Sequence, residues 1–208
     1  MTYYEPPVEI RTLTYSAPGT VIQYPQVTGL ANRQAEERIN RAIILQIQEM
    51  QRIQQGVQTG TNPETTGHFE IKTNERGILS LLLSNYTYSI PMAHGYTVAK
   101  ALTFSTRTGQ SYNLSDLFRP GSNYLALLTA EVNRQIKERN IPTLEGNVVT
   151  VQPSQDFYLA DKSLVIFYPL YAITPYYVGI PMFPISVYSL QGIATENGPL
   201  MILAADIV

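Results

Sequence analysis

Apolar residues recur along this chain with two distinct periods. From Leu30 to Gln55 there is neither proline nor glycine. Ile39, Ile43, Ile47 and Met50 recur at helical spacing there, while Arg38, Arg41, Gln48 and Arg52 occupy the rest of the wheel. The spacing predicts a long amphipathic helix with Thr28 as N-cap and Gly56 as stop. A second helix is predicted from Ser122 to about Asn140, with Leu125, Leu128, Val132 and Ile136 as its stripe and Pro142 beyond its end. Before it, Asn113 to Phe118 reads as a single helical turn.

Elsewhere the period is two. Val8 to Tyr15 and Thr20 to Tyr24 are β-prone runs separated by Ala17, Pro18 and Gly19, an opening hairpin. Thr66 to Thr73, Ile78 to Ser89 and Tyr96 to Thr106 form a predicted meander, with a turn at Asn74 to Gly77 and a loop through Pro91 and Gly95. In its middle strand Leu79, Leu81 and Leu83 offer a core face. Ser80, Leu82, Ser84, Tyr86 and Tyr88 make a mixed face that turns aromatic towards its end. The tail reads as short strands between proline breaks: Asp156 to Ala160, a turn at Asp161 and Lys162, Ser163 to Tyr168, Ile185 to Leu190, and a last apolar run near Leu200 to Ala204. The expected fold is α+β: a mostly antiparallel sheet, two amphipathic helices laid on that same sheet, and a Pro/Tyr-rich C-terminal loop region. With no repeat and no linker, residues 1–208 are expected to form one domain.

Composition narrows the function. Charged residues are only 14% of the 208, which implies a largely neutral polar surface. Fourteen basic against 16 acidic residues give a net charge of -2, so no cationic field calls for nucleic acid or anionic lipid. There is no cysteine and there are two histidines, which leaves little for thiolate zinc sites, cysteine nucleophiles or histidine-rich metal centres. No cofactor and no metal are expected. No window approaches eighteen uninterrupted apolar residues, and Met1 to Pro7 lacks the basic and apolar regions of a signal peptide. On that ground alone the chain does not insert in a membrane, and a cytoplasmic location is the alternative to the one given below.

Catalytic motifs are absent. His68, Phe69 and Glu70 put an imidazole and a carboxylate on one side of a strand, but Phe69 and Ile71 claim the core face, so His68, Glu70 and Lys72 read as a solvated face. Asp116, Asp156 and Asp161 sit where turns and caps place aspartates. No phosphate loop, G-x-S-x-G elbow or H-E-x-x-H pattern occurs. The inventory favours a binding protein over an enzyme, with no catalytic residue assigned. The most unusual stretch, Tyr168 to Pro184, repeats proline and tyrosine. Prolines restrict a loop's unfolded freedom, and rings with hydroxyl tips suit sugars or protein surfaces. Tyr86, Tyr88 and His94 from the strand end and its loop are expected to join Tyr171, Tyr176, Tyr177 and Phe183 in one ligand-binding patch.

Several short motifs recur in a telling order. Ala93-His94-Gly95 precedes a strand ending in Thr108-Gly109. Then come Leu114-Ser115-Asp116-Leu117-Phe118, Asn123-Tyr124-Leu125, Asp156-Phe157-Tyr158-Leu159, Leu164-Val165-Ile166-Phe167-Tyr168, Tyr171-Ala172-Ile173-Thr174-Pro175-Tyr176 and Phe183-Pro184-Ile185. In this order they resemble the RsiV/PdaC-type domain of unknown function over nearly the whole chain, most strongly from about Ile78 to Leu190. That family's domain is the sensor region of a lysozyme-binding anti-sigma factor and accompanies the catalytic module of a peptidoglycan deacetylase. The resemblance implies an extracytoplasmic or cell-envelope module without catalysis of its own, whose partner is a peptidoglycan-like glycan or a lysozyme-like envelope protein. The alternatives are a structural or assembly protein of the envelope or spore surface and, third, an unrecognised carboxylate-dependent hydrolase.

Overall fold

The computed structural model describes residues 6–144 and 148–205. The chain is α+β and divides into two compact units, one ending at Ser111 and the other beginning at Tyr112.

In the first unit β1 (Glu9–Ala17) and β2 (Thr20–Thr28) form the expected hairpin. Pro18 presets its own φ, and Gly19 takes φ 70°, which closes the turn in two residues. Helix α1 (Arg33–Val57) follows, then the meander β3 (Thr61–Glu75), β4 (Ile78–Ile90) and β5 (Tyr96–Ser105). Arg76 and Gly77 both adopt positive φ, the twist a two-residue hairpin between Glu75 and Ile78 needs. The sheet order is β1-β2-β3-β4-β5. One pair departs from the antiparallel pattern: Thr20 to Ile22 run parallel to Thr65 to Gly67, with α1 as the crossover between them.

Helix α1 starts later than its apolar stripe suggests. Asn32 is the N-cap, its side chain accepting from the Ala35 backbone N–H at 3.2 Å. Thr28 instead ends β2, and Gly56 lies within the last turn. Asn40 clamps the helix to the hairpin, donating to the Val27 carbonyl and accepting from its N–H, both at 2.8 Å. Ile39, Ile43, Ile47 and Met50 then bury against Ile22, Val27, Leu79, Leu81, Leu83, Val98 and Phe104. Phe69 packs at the margin of this core, whereas Ile71 is exposed. The pairing stays regular through Ile71, opposite Leu81, and shifts only beyond it, between Ile71 and Thr73.

The second unit opens with a 3₁₀ turn at Leu114–Leu117, where Asp116 accepts from the Asn113 N–H at 2.7 Å. Helix α2 (Tyr124–Glu138) precedes the antiparallel sheet of β6 (Phe157–Ala160), β7 (Ser163–Phe167) and β8 (Met182–Ser186). The two helices therefore do not share a sheet. Helix α1 packs on β2, β4 and β5, and α2 on β8. Each apolar stripe finds a sheet within its own unit.

Two tail segments expected as strands are helical: α3 (Val187–Leu190) and α4 (Pro199–Ala204). Ser186 caps α3 by accepting from the Tyr188 N–H at 3.3 Å, and Pro199 sits in the first turn of α4. Lys162 donates to the carbonyls of Leu203 at 2.5 Å and Ala205 at 3.2 Å, satisfying the end of α4. Among the described residues, no helix is long and apolar enough to cross a membrane.

Candidate functional site

The residues expected to form one patch belong to two units. Tyr86, Tyr88 and His94 lie in the first; Tyr171, Tyr176, Tyr177 and Phe183 lie in the second.

In the first unit, Leu79, Leu81 and Leu83 face the α1 core, so alternation turns Tyr86 and Tyr88 the other way. Tyr86 is exposed and Tyr88 half-buried. Gly95 is where the chain returns beneath Tyr86: a side chain there would overlap the tyrosine ring. His94 is half-buried, its Nδ1 3.0 Å from the Gly95 carbonyl oxygen. The 94–95 loop and Tyr86 are thus brought together as the sequence suggested.

What fixes that loop was not anticipated. The α1 stripe continues past Met50 to Gln54 and Gln58, and the core face of β4 continues past Leu83 to Asn85, Thr87 and Ser89, all buried. Gln54 donates to the Asn85 carbonyl at 3.0 Å. Gln58 accepts from the Ser89 N–H at 3.0 Å and hydroxyl at 3.1 Å, and donates to the His94 carbonyl at 3.2 Å. Both elements turn from apolar to amide and hydroxyl in step, so Gln54 and Gln58 of the helix find Asn85 and Ser89 of the strand as partners, while the Thr87 hydroxyl pairs with that of Thr65 on β3 at 2.8 Å. The signal is in the sequence: extending the helical period by two positions past Met50 and the strand period by three past Leu83 reaches these residues. Beside the seam lies a cavity of about 420 Å³, with Gln51, Gln54, Gln58, Thr65 and Thr87 in its walls. No lining residue carries a charge.

In the second unit the Pro/Tyr-rich segment crosses from β7 to β8. Tyr171 takes φ 66°, rare for a residue with a side chain, and its ring lies 5.6 Å from that of Tyr176. Tyr176 begins a short 3₁₀ turn and is half-buried, while Tyr177 is 78% exposed. Tyr171 also lines a cleft of about 350 Å³ with Leu144, Val149, Thr150 and Ile173. Tyr171 and Tyr176 pair through their rings and Tyr177 follows in the same turn, which makes these three the tyrosine cluster of the loop. Phe183 does not join it: at 0% exposure it is a core residue of β8, edge-on to Tyr168 at 5.9 Å. Its neighbours Met182 and Pro184 alternate outward, so the strand period sends the ring inward. Burial pushes the Tyr168 hydroxyl above the usual phenol range, and it donates to the Thr150 carbonyl at 3.1 Å.

Carboxylates are dispersed. Glu70 takes Lys72 as partner at 2.7 Å, and Asp116 caps its turn. Glu131 is held below the usual carboxylate range by hydrogen bonds from Arg134. Among the described residues no three His, Asp or Glu side chains gather as a metal site would require.

Two unequal units, a mixed five-stranded sheet with its crossover helix and a three-stranded antiparallel sheet, define an α+β protein that exposes tyrosines on its surface and buries a seam of neutral amides. Residues 115–188 match the family described as a protein of unknown function, DUF3298. Anti-sigma-V factor RsiV of Bacillus subtilis (strain 168) is 24% identical over 178 residues, 79% of this chain and 61% of RsiV. The chain thus spans about three-fifths of that relative's length. A solved DUF3298 family structure from Bacteroides fragilis superposes with a TM-score of 0.67 at 13% identity, covering 98% of each chain. One from Pseudomonas aeruginosa PAO1 gives 0.69 at 16% identity, covering 92% of this chain and 96% of its own. The resemblance read from the motifs is to this group. The tyrosine cluster falls inside the matched segment, and Tyr86, Tyr88 and His94 fall outside it.

Proposed function

We propose that the chain is a non-catalytic recognition module of the bacterial cell envelope that holds a glycan or an envelope protein against Tyr171, Tyr176 and Tyr177. One observation carries the reading. Within the family-matched segment, a proline-bounded loop holds Tyr177 78% exposed, next in sequence to Tyr176, whose ring pairs with that of Tyr171. Grouped exposed rings offer a contact surface, and tyrosine combines an apolar face with a hydrogen-bonding tip. Tyr86 and the His94 loop are a second surface for the same kind of partner. An extracytoplasmic location belongs to this reading. Relationship to an anti-sigma factor and the dispersed carboxylates both speak for binding over hydrolysis.

The test is calorimetric titration of the whole chain with solubilised peptidoglycan fragments and, separately, with a lysozyme. Binding of one of them, weakened at least tenfold by Tyr177→Ala with the melting temperature unchanged, is expected, since an aromatic anchor contributes about 2 kcal/mol or more. Failure of both to bind, or binding indifferent to Tyr177→Ala and Tyr171→Ala, overturns the reading.

A further inference from the structure

The two sheets treat their edges differently. Along β8 the outer carbonyls are occupied by α2: Gln135 donates to Pro184 at 2.7 Å and Arg139 to Met182 at 2.8 Å. Strand β1 has no such cover. It ends the sheet order, pairing with β2 on one side through nine consecutive residues without a bulge. Among the described residues no side chain hydrogen-bonds to its backbone, and Glu9, Arg11, Thr12, Thr14, Tyr15 and Ser16 are all exposed. A strand this long, regular and free of proline presents a row of unpaired N–H and C=O groups, which is a template for another strand.

The sequence of β1 says which strand. We propose that a second copy of this chain pairs antiparallel along β1, with the two-fold axis at Leu13, to join two five-stranded sheets into one. In that register all nine residues are used. Glu9 lies opposite Ala17, Ile10 opposite Ser16, Arg11 opposite Tyr15, Thr12 opposite Thr14, and Leu13 opposite itself. No like charges meet, a guanidinium faces an aromatic ring, and hydroxyl faces hydroxyl, all favourable cross-strand pairs. Shifting the axis to Arg11 sets arginine against arginine, and shifting it to Glu9 sets glutamate against glutamate. Alternating backbone groups across nine residues supply about eight or ten new hydrogen bonds. The interface is isologous, so it closes at two copies. It is independent of the tyrosine cluster, and its failure leaves the recognition reading untouched.

The measurement is mass by light scattering over a concentration series of the whole chain, followed by paired variants. Wild type is expected to approach twice the single-chain mass. Thr12→Lys with Thr14→Lys opposes two lysine pairs across the axis and should return it to the single-chain mass. Thr12→Lys with Thr14→Glu opposes unlike charges in the same places and should restore the doubled mass. Because the chain has no cysteine, an introduced one is unique. Leu13→Cys meets its own copy about 4.5 to 5.5 Å away, within disulfide reach, and should cross-link on mild oxidation. Tyr15→Cys should not, since its two copies stand four residues, about 13 Å, apart. Random collision predicts the reverse, because Tyr15 is the more exposed position. Single-chain mass up to millimolar concentration, unchanged association in the double-lysine variant, or faster cross-linking at Tyr15 than at Leu13 overturns the proposal.

Discussion

Replacing Gln58 separates two accounts of how α1 is anchored. The side chain is 6% exposed, and its Oε1 is the acceptor for both the N–H and hydroxyl of Ser89, which is 0% exposed. Its Nε2 reaches the His94 carbonyl at 3.2 Å. If desolvated hydrogen bonds dominate, what matters is whether the Ser89 N–H finds another acceptor. Gln58→Ala opens the seam towards the neighbouring polar cavity of about 420 Å³, so solvent reaches the orphaned groups and the cost stays at about 1–2 kcal/mol. Gln58→Met fills the same space with apolar atoms and strands an N–H and a carbonyl, at about 2–4 kcal/mol. If lost packing dominates instead, the alanine is the worse variant. Urea unfolding followed by far-ultraviolet circular dichroism gives both numbers, provided the m-values match wild type. Hydrogen exchange at the Ser89 amide reports the local opening. A methionine variant milder than the alanine, or both within about 0.5 kcal/mol of wild type, refutes the seam as the anchor of the His94 loop.

Gly95→Ala is expected to displace the Tyr86 ring, seen as a change in near-ultraviolet tyrosine dichroism, and its destabilisation should largely vanish in a Tyr86→Ala background because the two share one contact. The lowered proton affinity of Glu131, held chiefly by the Arg134 hydrogen bonds, stabilises the folded state above the unfolded carboxylate range. The stability gap between wild type and Glu131→Gln should therefore be constant above about pH 5 and shrink as pH falls through the lowered folded value; a gap that grows on acidification contradicts the assignment. Residues 1–208 are expected to melt in one calorimetric transition with equal calorimetric and van't Hoff enthalpies, as one domain would, and two resolved transitions would make the units ending at Ser111 and beginning at Tyr112 separate domains.

Local periodicity determined much of this protein. The α1 stripe from Ile39 to Met50, the β3–β5 meander, the Arg76–Gly77 turn and the second helix are legible because each is written in neighbouring residues whose side chains must share a face. Ends were less legible, since caps depend on one hydrogen bond: Asn32 competes with Thr28, and only geometry brings Asn32 to the Ala35 N–H. Helices α3 and α4 look like strands in sequence because runs of four to six residues carry too few periods to distinguish the two. Pairing across long sequence separation was decided only in three dimensions. Nothing in Thr20 to Ile22 names Thr65 to Gly67 as a parallel partner, and nothing in two similar stripes says that α1 and α2 serve different sheets. The same holds for the surface. Tyr177 and Phe183 are both aromatic residues among prolines; one stands in solvent and the other is fully buried, because a 3₁₀ turn carries the first while strand alternation in β8 turns the second inward.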